Sequence, residues 1–407
     1  MTNGNRRDFL KRGLLAAGAL AVNPLDALLA VQSPIRVAGP AKKIIVAGAG
    51  LAGLVAAYEL KQAGHDVTVI EARRRAGGRV LTLREPFADD LYAEAGATRI
   101  HATHDLTLKY IKQFGLELSP FYPSAGHFTR LNSGVRREAD WKSFTNEIRN
   151  TIELGQSRDW LKIQGGNDRL PLAFARRLTI IQDAPVVGIE QNNNSVSVRF
   201  SRGGSTEKLS GDYLICAIPF STLRNVRVSP QFSSQKRQII EKLHHDSASR
   251  VFLQVRSRFW QQQKANGYAI ADQSIEIWDS SLNQPGTRGI LQTYLRGDNS
   301  EKLTKLAESE RLRVTIDRME RVFPGARSNF EKGISKCWSE DQWSLGAWVH
   351  PDEEALPVIV KPEGRVHFAG DHASRQPSWM QGALASGLRV VKEINEAAQA
   401  ASVSVVS

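Results

Sequence analysis

The stretch KKIIVAGAGLAGLVAAYELKQAGHDVTVIEA, Lys42–Ala72, decides the reading of the fold. Ile44, Ile45 and Val46 make the short apolar run of a buried parallel strand, followed at once by Gly48, Gly50 and Gly53 in a G-x-G-x-x-G turn. Leu51, Leu54, Val55 and Tyr58 then recur at helical spacing, and Gly64 supplies the stop. The first glycine permits the tight turn, the second lets a pyrophosphate approach the backbone, and the third allows close helix-to-strand packing. The helix N-terminus would face those phosphates with unpaired N–H groups and partial positive charge. "HDVTVIEA" reads as the next strand and ends in Glu71, whose carboxylate is placed for the ribose hydroxyls of an adenosine. Strand, turn, helix, strand and terminal acid within about 30 residues predict a Rossmann-like α/β dinucleotide-binding unit.

The rest of the chain must carry more than this unit, because 407 residues exceed one compact core and predict two domains or an elaborated α/β unit. Hydrophobic residues at 41% and charged residues at 24% exclude a fibrous, low-complexity or membrane-embedded protein. The net charge of +12 is spread along the chain, with acids interleaved in "RREADWKSF" and "ESERLRVTIDRMER". No basic arm with interleaved aromatics forms, so nucleic acid is not an expected partner. The two cysteines, Cys216 and Cys337, are too few for a zinc site or a disulfide framework, and no metal is expected. Cys216 sits in "DYLICAIP", a strand pattern that suits a small core residue, and a single bridge to Cys337 stays open.

"NRRDFLKRGLLAAGALAV" sets Arg6, Arg7, Phe9, Leu10 and Lys11 ahead of an apolar run from Gly13 to Val22. That run is shorter than the roughly 20 apolar residues a membrane span needs. It resembles a twin-arginine secretory signal, expected over 1–38, with a mitochondrial presequence or a plain tail as the alternatives. The implied partner is the twin-arginine translocase, the implied location is periplasmic or secreted, and export after folding implies a tightly held prosthetic group. The sequence does not set the oligomeric state, and a homodimer is left open.

After Glu71, Gly77 and Gly78 in "ARRRAGGRV" allow a second close backbone approach, and Arg79 offers a cation near the diphosphate. "GAGLAGL", "IEARRRAGGR" and the late "HFAGDHAS" and "WMQGALASG" together resemble the flavin-containing amine oxidases, a group that includes monoamine, polyamine and L-amino acid oxidases. The resemblance runs through most of the chain after about residue 42. It implies a Rossmann-like FAD-binding domain, parallel sheet plus β-meander, with an inserted α+β substrate domain. The expected division gives FAD-binding segments at 42–100, 164–220 and 341–400, and substrate segments at 101–163 and 221–340. Alternating Val196, Val198 and Phe200 and the run "GDYLICAIPF" read independently as strands. By resemblance the backbone at Val187 meets the adenine, Pro219 closes the flavin domain and Asp371 binds the ribityl chain. Met380, Leu384, Leu388, Val391 and Ile394 form one face of a terminal helix whose start, near Met380, would point at the pyrimidine edge of the flavin ring.

Trp348 and Trp379 match an aromatic pair standing before the flavin face, although either tryptophan alone would be read as core. Ala347 stands where some members carry a cysteine that attaches the flavin, so FAD is expected to be non-covalent. Where many members hold a water near flavin N5 with a lysine, "VRSRFW" offers Arg256 or Arg258, and arginine does not give up its proton. In "YAEAGATRIH", Gly96 and Ala97 would let the chain pass beside the flavin, and Arg99 lies where L-amino acid oxidases place an arginine. A guanidinium presents two parallel N–H donors matched to a carboxylate. The alternative for Arg99 is a surface ion pair with Glu94 or Asp105. His101 and His104 read as surface or helix-cap residues.

The implied reaction is hydride transfer from the Cα–H of an L-amino acid to flavin N5, giving the imino acid, then a 2-oxo acid, ammonia and hydrogen peroxide. Oxygen or another acceptor takes the electrons. Oxidation of monoamines or polyamines with a structural Arg99, an amino-acid 2-monooxygenase giving an amide, and an exported flavin-binding subunit are the alternatives.

Overall fold

The structure, a computed structural model, describes residues 40–149, 159–272 and 275–403. These residues belong to one compact unit. The signal expected over 1–38 lies outside them.

The quoted stretch folds as β1 (Lys43–Ala47), α1 (Leu51–Ala63) and β2 (Asp66–Ile70). β1 and β2 sit in a five-stranded parallel sheet in the order Thr179–Ile181, β2, β1, Tyr213–Cys216, Val366–Phe368. A parallel sheet is covered on both faces, so its strands are apolar throughout. Alternation splits β1 accordingly. Ile44 and Val46 enter a core with Leu54 and Val55 of α1 and with Leu384, Val391 and Ile394 of the terminal helix α2 (Met380–Val403). Ile45 and Ala47 enter another, with Val196, Val198 and Phe200. Each fully buried Ile or Val side chain contributes about 1.5–3 kcal/mol at most. The second core is closed by a meander over Val186–Gln191, Val196–Arg202 and Ser205–Gly211, with Arg227–Ser229 at its edge.

A separate seven-stranded sheet runs in the order Phe330–Cys337, β3 (Ala248–Val255), β5 (Gly289–Arg296), β4 (Ile275–Asp279), Ala265–Ala271, His127–Asn132, Val135–Ala139. Its central strands show one face to an apolar core that takes Val251, Leu253, Ile277, Leu291 and Leu295. The residues between them point the other way, because side chains alternate along a strand. Register then aligns Arg250 with Tyr294, Tyr294 with Glu276, and Ala248 with Arg296. A polar row of charged and phenolic side chains therefore lies across three buried strands.

Both cysteines are free and buried, so no bridge joins Cys216 and Cys337. No described helix is long and apolar enough to cross a membrane.

Candidate active site

A cavity of ≈ 980 Å³ runs from the glycines after β1 to the polar row of the seven-stranded sheet. Gly48, Gly50, Glu71, Arg79, Gly96, Ala97, Arg99, Trp348, Asp371, Trp379 and Met380, each singled out in the sequence, all border it. Gly53 lies behind this wall and acts through packing.

At the glycine end, Gly48 has φ 111°, and a Cβ there would lie 2.9 Å from the Ala217 carbonyl oxygen. A Cβ on Gly53 would lie 2.1 Å from the Gly48 carbonyl oxygen and 3.1 Å from Val46 Cγ1, so α1 touches its strand there. On Gly50 it would meet nothing within 4 Å. The chain thus leaves an open cradle beside the N-terminus of α1, whose first turn has no acid, and this suits a pyrophosphate. Gly50→Ala is expected to keep stability within about 0.5 kcal/mol while weakening FAD binding tenfold, about 1.4 kcal/mol. Gly53→Ala is expected to cost about 1–3 kcal/mol of folding stability. Urea melts of apoprotein and flavin fluorescence titrations separate the two effects.

Glu71 Oε2 accepts from Ala49 N–H at 2.7 Å and Oε1 from Arg73 N–H at 2.8 Å. A carboxylate has about four acceptor sites, so two remain for ribose hydroxyls. The adenine-side strand meets the cavity at Val186, one residue before the expected Val187. The register shifts between Val186 and Gly188, and a bulge leaves the extra residue, Val187, out of the ladder with the neighbouring strand. Arg79 and Asp371, expected to serve separate parts of the cofactor, pair with each other. Arg79 Nη1 also donates to the Ala347 carbonyl at 2.8 Å, which ties the loop carrying Trp348 to this pair. Burial alone would raise the Asp371 pKa, but Arg79 and His372 hold it below its ordinary value. The two ring nitrogens of buried His372 have no hydrogen-bond partner in the protein, although the residue borders the cavity. Open cradle, free carboxylate sites and unpartnered imidazole together fit FAD.

At the other end Trp379 stacks on Trp160, with centroids 5.5 Å apart at 28°, and meets His104 at 5.2 Å. Trp348 meets Tyr294 at 6.3 Å, and Tyr294 meets Trp278 at 5.6 Å. The polar row forms the floor beside these rings. Arg99, 7% exposed, pairs with buried Glu276 and has its guanidinium 5.0 Å from the Trp278 ring centroid. This partner is neither Glu94 nor Asp105. Glu276 also lies 3.1 Å from Arg296 Nη2. Burial lowers the Arg99 pKa, yet Glu276 and the tyrosines around it hold it above its ordinary value.

Arg250 is the cation the sequence reading missed. It is 6% exposed, donates to the Glu94 carbonyl and Thr98 Oγ1, and lies 4.6 Å from the Tyr294 ring centroid and 5.3 Å from that of Trp278. Among the described residues no carboxylate pairs with it. Burial and then the neighbouring Arg99 act to lower its pKa, but an arginine stays charged in a protein.

Arg256 must be corrected. It is exposed at the end of β3 and donates to the Ser328 carbonyl at 2.8 Å, away from the cavity. Arg256 lies past the end of β3, and six residues of extended chain from Arg250 move a side chain about 20 Å. Arg258 is spent on the carbonyls of Ser281, Gln284 and Arg288.

Burial, helped by neighbouring charges, lowers His104 to about 4, His245 to about 4 and His372 to about 3. Below pH 6.5 the unfolded chain takes up protons that these imidazoles refuse, so stability should fall as pH drops from 6.5 toward 4. The loss is about 1.4 kcal/mol per pH unit for each histidine at most. Urea midpoints measured across that range test this, and His372→Phe should flatten the slope.

The family model for flavin containing amine oxidoreductases matches residues 51–159 and 139–395. The protein YobN of Bacillus subtilis (strain 168) is 33% identical over 452 positions, covering 87% of this chain and 95% of that one. The flavin-dependent L-tryptophan oxidase RebO of Lentzea aerocolonigenes is 28% identical, covering 87% and 98%. Both alignments run longer than the part of this chain they cover, so each relative has insertions absent here. In fold, the chain is similar to cyclohexylamine oxidase from Brevibacterium oxydans IH-35A, with TM-score 0.76, 20% identity, and coverage of 88% of this chain and 100% of that one. It is also similar to putrescine oxidase bound to putrescine, with TM-score 0.73, 18% identity, and coverage of 87% and 99%.

Proposed function

The chain belongs to the flavin containing amine oxidoreductase family, as an FAD-dependent oxidoreductase acting on the CH–NH2 group of small amines with oxygen, and from that premise we propose that its substrate is an L-amino acid. The observation that carries this reading is Arg250, a buried guanidinium bordering the cavity with no carboxylate partner among the described residues. A buried charge without a counter-ion is costly, and an α-carboxylate would supply one. A plain amine would bring a further positive charge beside Arg250 and Arg99, which disfavours the monoamine and polyamine alternatives.

Bound flavin supplies acceptance of two electrons from the substrate, and oxygen then removes them. The residues of the chain bind, orient and exclude water. Arg250 and the Tyr294 hydroxyl would hold the carboxylate, with Arg99 and Arg296 adding positive potential behind them. Trp348 and Trp379 would fix the plane in which the Cα–H is presented and keep water from the reacting atoms. His104 Nδ1 accepts from His101 N–H at 3.2 Å, so its proton sits on Nε2 and the neutral ring is not a ready base. The two-electron oxidation gives the imino acid and, with oxygen, hydrogen peroxide, and water then hydrolyses the imino acid to a 2-oxo acid and ammonia. Amide formation is distinguished by product analysis.

FAD is read as non-covalent. Ala347 has no nucleophile, and both thiols are buried in the core, that of Cys216 raised by burial to about 11. Export by the twin-arginine route to a periplasmic or secreted location stays part of the proposal on the sequence of 1–38 alone, as does the division into interleaved FAD-binding and substrate segments.

Anaerobic addition of each L-amino acid and of common amines to FAD-loaded protein tests the substrate reading, followed by flavin absorbance. Bleaching by at least one L-amino acid and by no monoamine or diamine is the expected result. Bleaching by amines alone, or by nothing, overturns it. Acid precipitation should leave the flavin in the supernatant.

A further inference from the structure

Three guanidiniums, those of Arg99, Arg250 and Arg296, border the substrate end of the cavity, and one carboxylate, Glu276, answers them. Arg99 and Arg296 share that single partner, so the site holds an excess of two positive charges. One α-carboxylate removes one of them once the α-amine is neutral, the form in which Cα releases a hydride. From the remainder we infer that the preferred substrate is an L-amino acid with a second acidic group on its side chain, in the size class of L-aspartate or L-glutamate. This rests on the amino-acid reading above and adds the side chain to it.

The neighbouring acids do not cancel the excess. The Glu94 carboxyl is tied to Asn167 N–H at 2.8 Å and to the Thr82 hydroxyl at 2.9 Å, and burial raises its pKa to about 7. Asp279 is held by Ser281 and has Arg258 and then Lys162, both outside this group, as its Coulomb partners. Glu71 and Asp371 belong to the cofactor end and are engaged there.

The spacing of the cations suits a short diacid. Arg250 lies 4.6 Å and Arg296 5.2 Å from the centroid of the same Tyr294 ring, from strands paired side by side. Two carboxylates joined by a short methylene chain can reach guanidiniums that share one ring. Arg250 would take the α-carboxylate. Arg296, whose side chain is 16% exposed against 7% for that of Arg99, would take the side-chain acid, with Arg99 keeping Glu276 in place. A site built around a charged partner rejects the neutral isostere, because its cation is then left buried and unpaired.

The test is anaerobic flavin reduction of FAD-loaded enzyme by L-glutamate and L-aspartate against L-glutamine and L-asparagine, with L-leucine and a diamine alongside. An acid should exceed its own amide by about 100-fold or more in kcat/KM. In Arg296→Gln the acid-to-amide ratio should drop about tenfold or more toward one, whatever the absolute rate. If L-leucine or an amide matches the acids in the unaltered enzyme, the diacid inference falls and the amino-acid reading stands. If amines alone reduce the flavin, both fall. The ratio in the unaltered enzyme decides the matter even where the variant does not fold.

Discussion

Replacing Arg250 with Ala is expected to leave FAD bound and to remove about 2–4 kcal/mol from transition-state binding of the amino acid, roughly 30- to 1,000-fold in kcat/KM. The size follows from burial, since a screened surface pair is worth about 1 kcal/mol or less and a desolvated guanidinium–carboxylate contact much more. Arg250 donates to a backbone carbonyl and to the Thr98 hydroxyl and is paired with no carboxylate among the described residues, so its removal strands no charge and the fold should survive. Arg256→Ala, just past the end of the same strand and in solvent, should change kcat/KM by less than about 0.5 kcal/mol. Equal effects in the two variants, measured by single-turnover flavin reduction, would mean that the cavity-facing position has been misassigned.

Arg99→Ala is expected to act mainly on stability. It leaves Glu276, 2% exposed, with Arg296 alone, and breaking a buried ion pair from one side costs about 3–5 kcal/mol. Adding Glu276→Gln to that variant removes the stranded charge and should restore a large part of the loss. Activity toward amino acids should recover with the fold in the double variant, because Arg250 and Arg296 without a carboxylate carry the same net charge as the original set. Urea unfolding of the four proteins in the cycle measures the coupling between the two residues. Independent, additive losses would show that the pair is not the unit described.

Local signals carried the fold a long way. The glycine turn, the helical repeat of Leu51, Leu54 and Val55 and the acid at Glu71 lie within one continuous stretch, so their joint meaning is visible without a third dimension. The terminal helix was legible for the same reason, through the spacing of Met380, Leu384, Val391 and Ile394. The floor of the substrate site was not. Arg250, Glu276, Tyr294 and Arg296 come from three strands and meet only through register, which the sequence does not state. Each strand carried a hint, a charged residue next to apolar ones as in "IEIW" and "TYLR", that a satisfied surface face would also explain. Arg256 and Arg258 follow from the family position of a lysine, and that resemblance says nothing about Arg250, which precedes them, on β3, and faces the cavity. Arg99 borders the cavity, and its Glu276 partner lies 177 residues away in the chain, beyond the reach of any local pattern.

The alignment of Arg250, Tyr294 and Glu276 across β3, β5 and β4 makes the selectivity of this enzyme sensitive to parity. A single-residue insertion ahead of Glu276 that shifts the pairing by one would send Glu276 and Trp278 into the apolar layer and bring Ile275 and Ile277 to the cavity. A two-residue change would keep the face and slide the charge along it. Lineages diverging from this chain could therefore retune what they oxidise by even-numbered length changes or by point substitutions on these strands, while the nucleotide end, built on other segments, stays untouched.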